Sequence, residues 1–290
     1  MNKIIRNGLV AAGVAGALIS SPVAKAQTIS VNSGSVGAVA NGVNSEDVIL
    51  GLEGAIAGDD LAVGYSGGAN TLVPFSPALN PAHTAPFTIE FWVKPSETTD
   101  NAVGPAPVFN RKSDGDRSGW VFFQRAPDTG WEFRMYSGAG SDVGFQIGGG
   151  TNAKNEWNHV VATWNGTSPS LFVDGVQVTN PVTGSGSYLS NQGGEPAPSL
   201  SLGAYDTGEN PFDGSVDDFA FYHTALTLEQ IQAHYNAASS NTPGAYSSLV
   251  LDDGAFVYLQ NIPEPSTAAL LLVGLLGAGG LKRHRRAAKA

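Results

Sequence analysis

Leu171-Phe172-Val173-Asp174-Gly175-Val176-Gln177-Val178 consists of two short apolar runs joined by Asp-Gly. Asp-Gly suits the two-residue turn of a β-hairpin, because both of its residues tolerate positive φ. Working outward, Thr88-Ile89-Glu90-Phe91-Trp92-Val93-Lys94 alternates, which puts Ile89, Phe91 and Val93 on one face before Pro95 ends the run. Residues 120–125 and 131–136 flank Ala126-Pro127-Asp128-Thr129-Gly130, a glycine-bearing loop that reads as a second hairpin. Residues 160–164 are apolar on both faces and belong at the centre of a sheet. From Val48 onward, strand-like segments alternate with Gly, Pro, Asn and Asp clusters, the pattern of an all-β sandwich of two antiparallel sheets. One short C-terminal helix interrupts it: Thr227 can cap it with Gln230 three residues on, and Leu228, Ile231 and Tyr235 form the stripe that would pack on the sandwich.

The chain has 290 residues, of which 42% are hydrophobic and 14% charged, enough to build one sizeable core. The formal charge of −10 conceals an asymmetry. Residues 27–262 carry 7 basic and 24 acidic side chains, a charge of −17. Such a body repels phosphate backbones and anionic lipid, which argues against nucleic-acid binding. With no cysteine there are no disulfides, thiolate nucleophiles or cysteine-ligated zinc.

Both ends read as addresses. Residues 1–26 form a secretory signal, with Lys3 and Arg6 at the charged start, an apolar run over 9–19, and Ala24-Lys25-Ala26 as the small-x-small cleavage pattern. Residues 27–47 are read as an N-terminal extension, 48–237 as the sandwich, and 238–262 as a linker. At the other end, Pro263-Glu264-Pro265 precedes an apolar stretch closed by Lys282-Arg283-His284-Arg285-Arg286. The stretch spans about 22 Å as a helix against a hydrocarbon core of ~30 Å, so it crosses only with its basic end snorkelling to the interface. The basic end stays cytoplasmic, which puts the tripeptide and everything before it on the far side. Tripeptide, short transmembrane helix and basic tail resemble the PEP-CTERM sorting signal of Gram-negative bacteria. The resemblance implies transient membrane insertion, processing by an exosortase-type transpeptidase, and delivery to the cell surface or the exopolysaccharide matrix.

The motifs Pro86-Phe87-Thr88-Ile89-Glu90-Phe91-Trp92-Val93-Lys94-Pro95, Trp157-Asn158-His159-Val160-Val161-Ala162-Thr163-Trp164-Asn165-Gly166, Leu171-Phe172-Val173-Asp174-Gly175 and Phe212-Asp213-Gly214-Ser215-Val216-Asp217-Asp218-Phe219-Ala220-Phe221-Tyr222 occur in that order. The ordered set resembles a LamG-like jelly roll of the concanavalin A-like superfamily. Residues 247–259 resemble the opening strand of such a module, although they stand after it. Either they are the stub of a lost second repeat, or they dock as an added edge strand; docking is favoured, since it would cover Val250, Phe256, Val257 and Tyr258, which are otherwise exposed apolar surface.

Jelly-roll glycosidases of this superfamily carry two or three carboxylates alternating along one strand. No such run occurs: Glu90 and Glu132 are isolated in their strands, and Asp217-Asp218 should point to opposite faces. The expectation is no catalytic residue, with His159 a hydrogen-bonded structural histidine. Asp217 should share its inward face with Phe219 and Phe221 and must find a partner. The candidates are the backbone of the turn at 212–214 or a structural calcium ion, with Asp213 as a second ligand. Related modules often hold calcium near their first strand, where Tyr65-Ser66-Gly67 departs from the usual acid or amide. Asp114-Gly115-Asp116-Arg117-Ser118-Gly119 mimics half of an EF-hand loop but has Arg125 at the twelfth position, and reads as a solvated loop. Sugar binding would use an exposed aromatic platform. Trp120 and Trp131, each following a glycine and close to Arg125, are the candidates, whereas Trp92, Trp157 and Trp164 belong to the core. The resulting expectation is a noncatalytic surface or matrix protein that binds carbohydrate or another matrix protein. The alternatives are a carbohydrate-active hydrolase and a purely structural matrix component.

Overall fold

The computed structural model describes residues 29–56, 61–97, 104–111, 115–193, 200–205, 208–240 and 242–260. The signal segment with Ala24 and Ala26, the Pro263-Glu264-Pro265 tripeptide, the tail beyond it and Asp114 lie outside these residues. No helix among the described residues is long and apolar enough to cross a membrane.

Two antiparallel sheets pack face to face. The first runs β10 (Val143–Gly149), β9 (Trp131–Ser137), β8 (Ser118–Gln124), β7 (Val108–Arg111), β14 (Leu200–Leu202), β5 (Thr71–Val73), β2 (Gly42–Asn44) and β1 (Ile29–Asn32). The second continues from β1 through β16 (Val257–Gln260), β15 (Gly214–Tyr222), β6 (Phe87–Pro95), β11 (Asn158–Trp164), β12 (Pro169–Val173) and β13 (Val176–Gln177). The hairpin β3 (Ile49–Glu53) and β4 (Leu61–Tyr65) joins it by pairing β4 with the start of β15. The expected hairpins are present: β8 pairs with β9 over seven registers, and β12 turns into β13 at Asp174 (φ 53°) and Gly175 (φ 72°). β11 lies between β6 and β12 and is buried on both faces, as its doubly apolar sequence requires.

There are two cores. Between the sheets, Ile89, Phe91 and Val93 meet Phe122, Phe133 and Met135, with the Phe91 ring edge-on to Phe122 at 4.9 Å. Over the outer face of the second sheet, Trp92, Val161, Tyr222 and Tyr258 pack beneath two helices, α1 (Leu228–Ala238) and α2 (Ala245–Asp252). The capping box of Thr227 and Gln230 forms as read, but the buried stripe of α1 is Ile231, His234 and Ala238, while Leu228 is exposed.

The domain is larger than the motifs suggested. Segment 27–47 is not an extension: β1 and β2 belong to the sandwich. β1 changes sheets along its length, Ile29 and Ser30 pairing with β2 while Val31 and Asn32 pair with β16. Within 238–262, residues 245–252 form α2, with Tyr246 and Val250 buried one helical turn apart, and residues 257–260 form β16, which docks on the sandwich as expected but between β15 and β1 instead of at an edge.

A β-bulge in β15 overturns the expected facing of the aspartates. The register shifts between Asp217 and Ala220, and Asp218 adopts φ 48°. Val216 and Phe219 therefore both enter the inter-sheet core, and both carboxylates turn toward the helix-covered side. Asp217 accepts from the Ala55 backbone N–H at 2.7 Å, and Asp218 from the Tyr258 hydroxyl at 2.5 Å.

Candidate functional site

The β8–β9 loop stands over the end of β10 because Gly130, at φ 72°, lets it approach closely. A Cβ there would lie 2.3 Å from the carbonyl oxygens of both Gly149 and Gly150. Buried Asn152 clamps the loop from beneath, its amide donating to the carbonyls of Arg125 (2.6 Å) and Gly130 (2.5 Å). On the other side, Thr183 pairs with Gln146 through both backbone bonds, and the Asn180 amide donates to the Gly148 carbonyl at 2.6 Å. Loop and segment enclose a cleft of about 710 Å³ on the outer face of the first sheet. Glu132 and Gln146 form its floor, with Arg125, Asp128 and Asn180 around it.

The floor is polar. Glu132 accepts from the Arg125 guanidinium at 2.7 Å and the Gln146 amide at 3.0 Å, and also pairs with Arg134. Both oxygens are engaged, so the carboxylate fixes its neighbours in place. Both guanidiniums also lie over the Phe123 ring, at 5.4 Å for Arg125 and 5.2 Å for Arg134. This presents guanidinium and amide donors and carbonyl acceptors in fixed directions, as recognition of a polyhydroxylated ligand requires.

Of the three residues named for sugar binding, only Arg125 lines the cleft. Trp120 and Trp131 point the other way: both lie in the inter-sheet core, 3% and 0% exposed. An indole sealed between sheets offers no ring face to a sugar, so the aromatic platform is withdrawn. The Trp131 N–H donates to Asn158 across that core at 3.0 Å. Trp92 and Trp164 are buried as expected, while Trp157 is half-buried beneath Lys94. Asp213 accepts from the Gly67 N–H at 3.2 Å, and Asp217 uses Ala55, not the turn at 212–214. The two therefore have separate backbone partners, and no group of three or more His, Cys, Asp or Glu that could hold a metal occurs among the described residues. Asp116 accepts from the Gly140 N–H, closing a turn.

Sequence reading missed the main polar cluster. Glu90, isolated in its strand, is fully buried and accepts from His159 Nε2 (2.7 Å), Tyr222 (2.8 Å), Tyr246 (2.9 Å) and His234 Nδ1 (3.0 Å). The other ring nitrogen of His234 donates to Asp253 at 2.9 Å. Burial alone would raise the Glu90 pKa, but the His234 charge and the hydrogen bonds from both histidines outweigh it and hold the carboxyl well below its usual range. Burial opposes charge on His234, and the Glu90 and Asp253 carboxylates override it and raise the imidazole. Burial, reinforced by Glu90, pushes the phenols of Tyr222 and Tyr246 well up, so both remain donors. These groups lie 69 to 156 positions from Glu90, and no local motif announces them. The cluster pins α1 and α2 to the second sheet and lies beneath them, away from solvent.

No curated protein sequence matches the chain. Several solved structures are similar to it at low identity. The binding domain of botulinum neurotoxin serotype G superposes with TM-score 0.51 at 14% identity, over 74% of this chain and 51% of that one. The binding domain of Paraclostridial mosquitocidal protein 1 gives 0.49 at 16%, over 74% and 48%. Domain 4 of AbnA, a GH43 extracellular arabinanase from Geobacillus stearothermophilus, solved with arabinotriose, gives 0.48 at 15%, over 72% and 98%. The chain thus spans about half the length of the two toxin binding domains. The Laminin_G_3 family model, described as the concanavalin A-like lectin/glucanases superfamily, matches residues 66–232, more than half of the chain. With two antiparallel sheets folded around that segment, the chain belongs to the concanavalin A-like lectin/glucanase superfamily.

Proposed function

We propose that this is an exported, noncatalytic glycan-binding protein of the bacterial surface or extracellular matrix, with its site in the cleft floored by Glu132 and Gln146. The observation that carries the reading is the state of Glu132: two arginines and a glutamine occupy its oxygens. Glycoside hydrolysis asks for a pair of carboxyls, one of them free to exchange a proton, and the second carboxyl of this cleft, Asp128, stands exposed on the β8–β9 loop instead of opposite Glu132 on the sheet. A carboxylate tied into an ion-pair network instead serves to orient donors toward hydroxyl groups. The signal segment and the PEP-CTERM-like tail support export, processing by an exosortase-type transpeptidase and retention at the surface or in the exopolysaccharide.

A glycan array followed by calorimetry on the secreted chain tests this. The expected result is saturable binding of an oligosaccharide, weakened tenfold or more by Gln146→Ala, with no new reducing ends after prolonged incubation. Release of reducing ends would make the protein a hydrolase. An array at background would leave a purely structural matrix component.

A further inference from the structure

The described residues begin and end at one corner of the sandwich. β1 opens at Ile29 and β16 closes at Gln260, and the two run antiparallel with Val31 opposite Gln260. The outer face of that corner is apolar. Ser30 and Thr71 both donate to Asn44 Oδ1, at 3.2 and 2.6 Å, which turns these three side chains inward. Alternation then turns Ile29, Val31, Val43 and Leu72 outward, and the register places Ile29 opposite Val43 and Val43 opposite Leu72. Ile29 is 47% and Val31 37% exposed, with Val43 and Leu72 half-buried beside them.

The sequence leaves little slack beyond Gln260. Asn261 and Ile262 alone separate it from Pro263-Glu264-Pro265, and Ala268, where the apolar stretch starts, is eight positions on. At ~3.5 Å per residue the tripeptide begins at most about 11 Å from Gln260, and the apolar stretch at most about 28 Å. The headgroup layer takes ~5–8 Å of that reach, which leaves about 20 Å, roughly two helix diameters, between the corner and a membrane holding the stretch. An enzyme that grips the tripeptide in this gap has to touch the corner. Drawing the tripeptide further out would pull β16 from the sheet. That would expose Val257, Tyr258 and Leu259, all buried, and break the hydrogen bond from the Tyr258 hydroxyl to Asp218.

We propose that the row of Val31, Ile29, Val43 and Leu72 is the docking surface for the membrane enzyme that removes the tail, an enzyme that cuts one peptide bond and passes the new acyl end to water or to an acceptor amine. This rests on the tail being a processed sorting signal and names the surface that presents it. The row carries no charge, and it sits on a body of −17 that repels anionic lipid, so an apolar protein surface suits it better than the bilayer does. Docking there delivers the tripeptide from a fixed origin at Gln260 instead of from a freely moving tether.

The test follows tail removal from the full chain in an exosortase-bearing host, by pulse-chase and intact mass. Ile29→Ser combined with Val31→Ser should slow removal about fivefold or more, with circular dichroism showing the exported protein folded. Val39→Ser should leave the rate alone, since Val39, 70% exposed, lies in the short helical turn that follows β1, away from the exit at Gln260. A Gly-Ser spacer of about six residues inserted after Gln260 adds ~20 Å of reach without touching the sandwich. It should also slow removal, because it uncouples the docked corner from the cut. A photo-crosslinker at position 29 should join the enzyme whose deletion stops removal. Wild-type rates in the double variant, or faster removal from the spacer variant, would overturn the docking surface and leave the sorting reading standing. Adducts to lipid alone would do the same, making the row a membrane contact. A tail that stays on the wild-type chain would sink both.

Discussion

Replacing Glu90 by glutamine tests what holds the helices to the sandwich. The carboxylate accepts from four side chains carried by β11, β15, α1 and α2, and is itself wholly buried. Glutamine keeps the volume but exchanges one acceptor oxygen for an NH₂ that faces donors. It also leaves the charge of His234 balanced only by Asp253. Removing one partner of a buried ion pair costs about 3–5 kcal/mol. At ~2–4 °C per kcal/mol for a domain of this size, Glu90→Gln should lower Tm by roughly 6–20 °C. Urea titration gives the free energy directly, with an unchanged m-value showing that the folded state has kept its compactness. The pH profile supplies an independent check. The depressed Glu90 carboxyl contributes fully above its ordinary value of 4.5 and loses that contribution as pH falls toward its folded pKa. The raised His234 contributes fully below its ordinary value of 6.5 and loses it as pH rises through its folded pKa. Wild-type stability should therefore be greatest between about pH 4.5 and 6.5, and the variant should lack the Glu90 part of the acid limb. A loss below about 1 kcal/mol, or an acid limb identical to wild type, would refute the assignment of this cluster as the anchor.

Gly130→Ala should distort the cleft wall, because its Cβ meets two carbonyl oxygens at 2.3 Å and its φ is 72°. The expected outcome is a loss of about 1–3 kcal/mol, from αL strain and the forced loop shift, with weaker glycan binding in calorimetry. Truncation before β16 removes Val257, Tyr258 and Leu259, all buried, at about 1.5–3 kcal/mol each. Set against a native stability of ~5–15 kcal/mol, that should leave no cooperative unfolding transition. Because Asp213 and Asp217 have separate backbone partners, EDTA should leave Tm unchanged, and a drop would restore a calcium site there. In an exosortase-bearing host, the intact mass of the exported protein should lack residues 1–26 and 282–290.

The parts of the fold legible in sequence are those set by local spacing. Asp174-Gly175 fixes its turn because both residues sit at positive φ, and the alternation of Ile89, Phe91 and Val93 is the inter-sheet face itself. Alternation failed where one residue was inserted. The bulge at Asp218 displaced the phase, so Asp217 parted from the face of Phe219. α2 was misread because Leu249-Val250-Leu251 satisfies a strand pattern. The helix was signalled instead by the spacing of Tyr246 and Val250, both buried. The tryptophans were misplaced for a related reason. Glycine before Trp120 and Trp131 suggested rim positions, yet each strand alternates so that the indole falls inward and Val121 or Glu132 falls outward. The outward phase of β8 and β9 was as readable as the inward one, and it contains Phe123, Glu132, Arg134 and Tyr136.

The two outer faces have divided the work between them. On the second sheet the outer face is covered by α1 and α2, and the Glu90 cluster satisfies the polar groups this burial creates. On the first sheet no helix among the described residues covers β8, β9 and β10; loops flank a cleft of about 710 Å³ there. At its floor Glu132 pairs with both Arg125 and Arg134. The arginines there pack over buried aromatic rings, Arg111 over Tyr205 and Arg125 and Arg134 over Phe123, so this outer face carries a small core of its own.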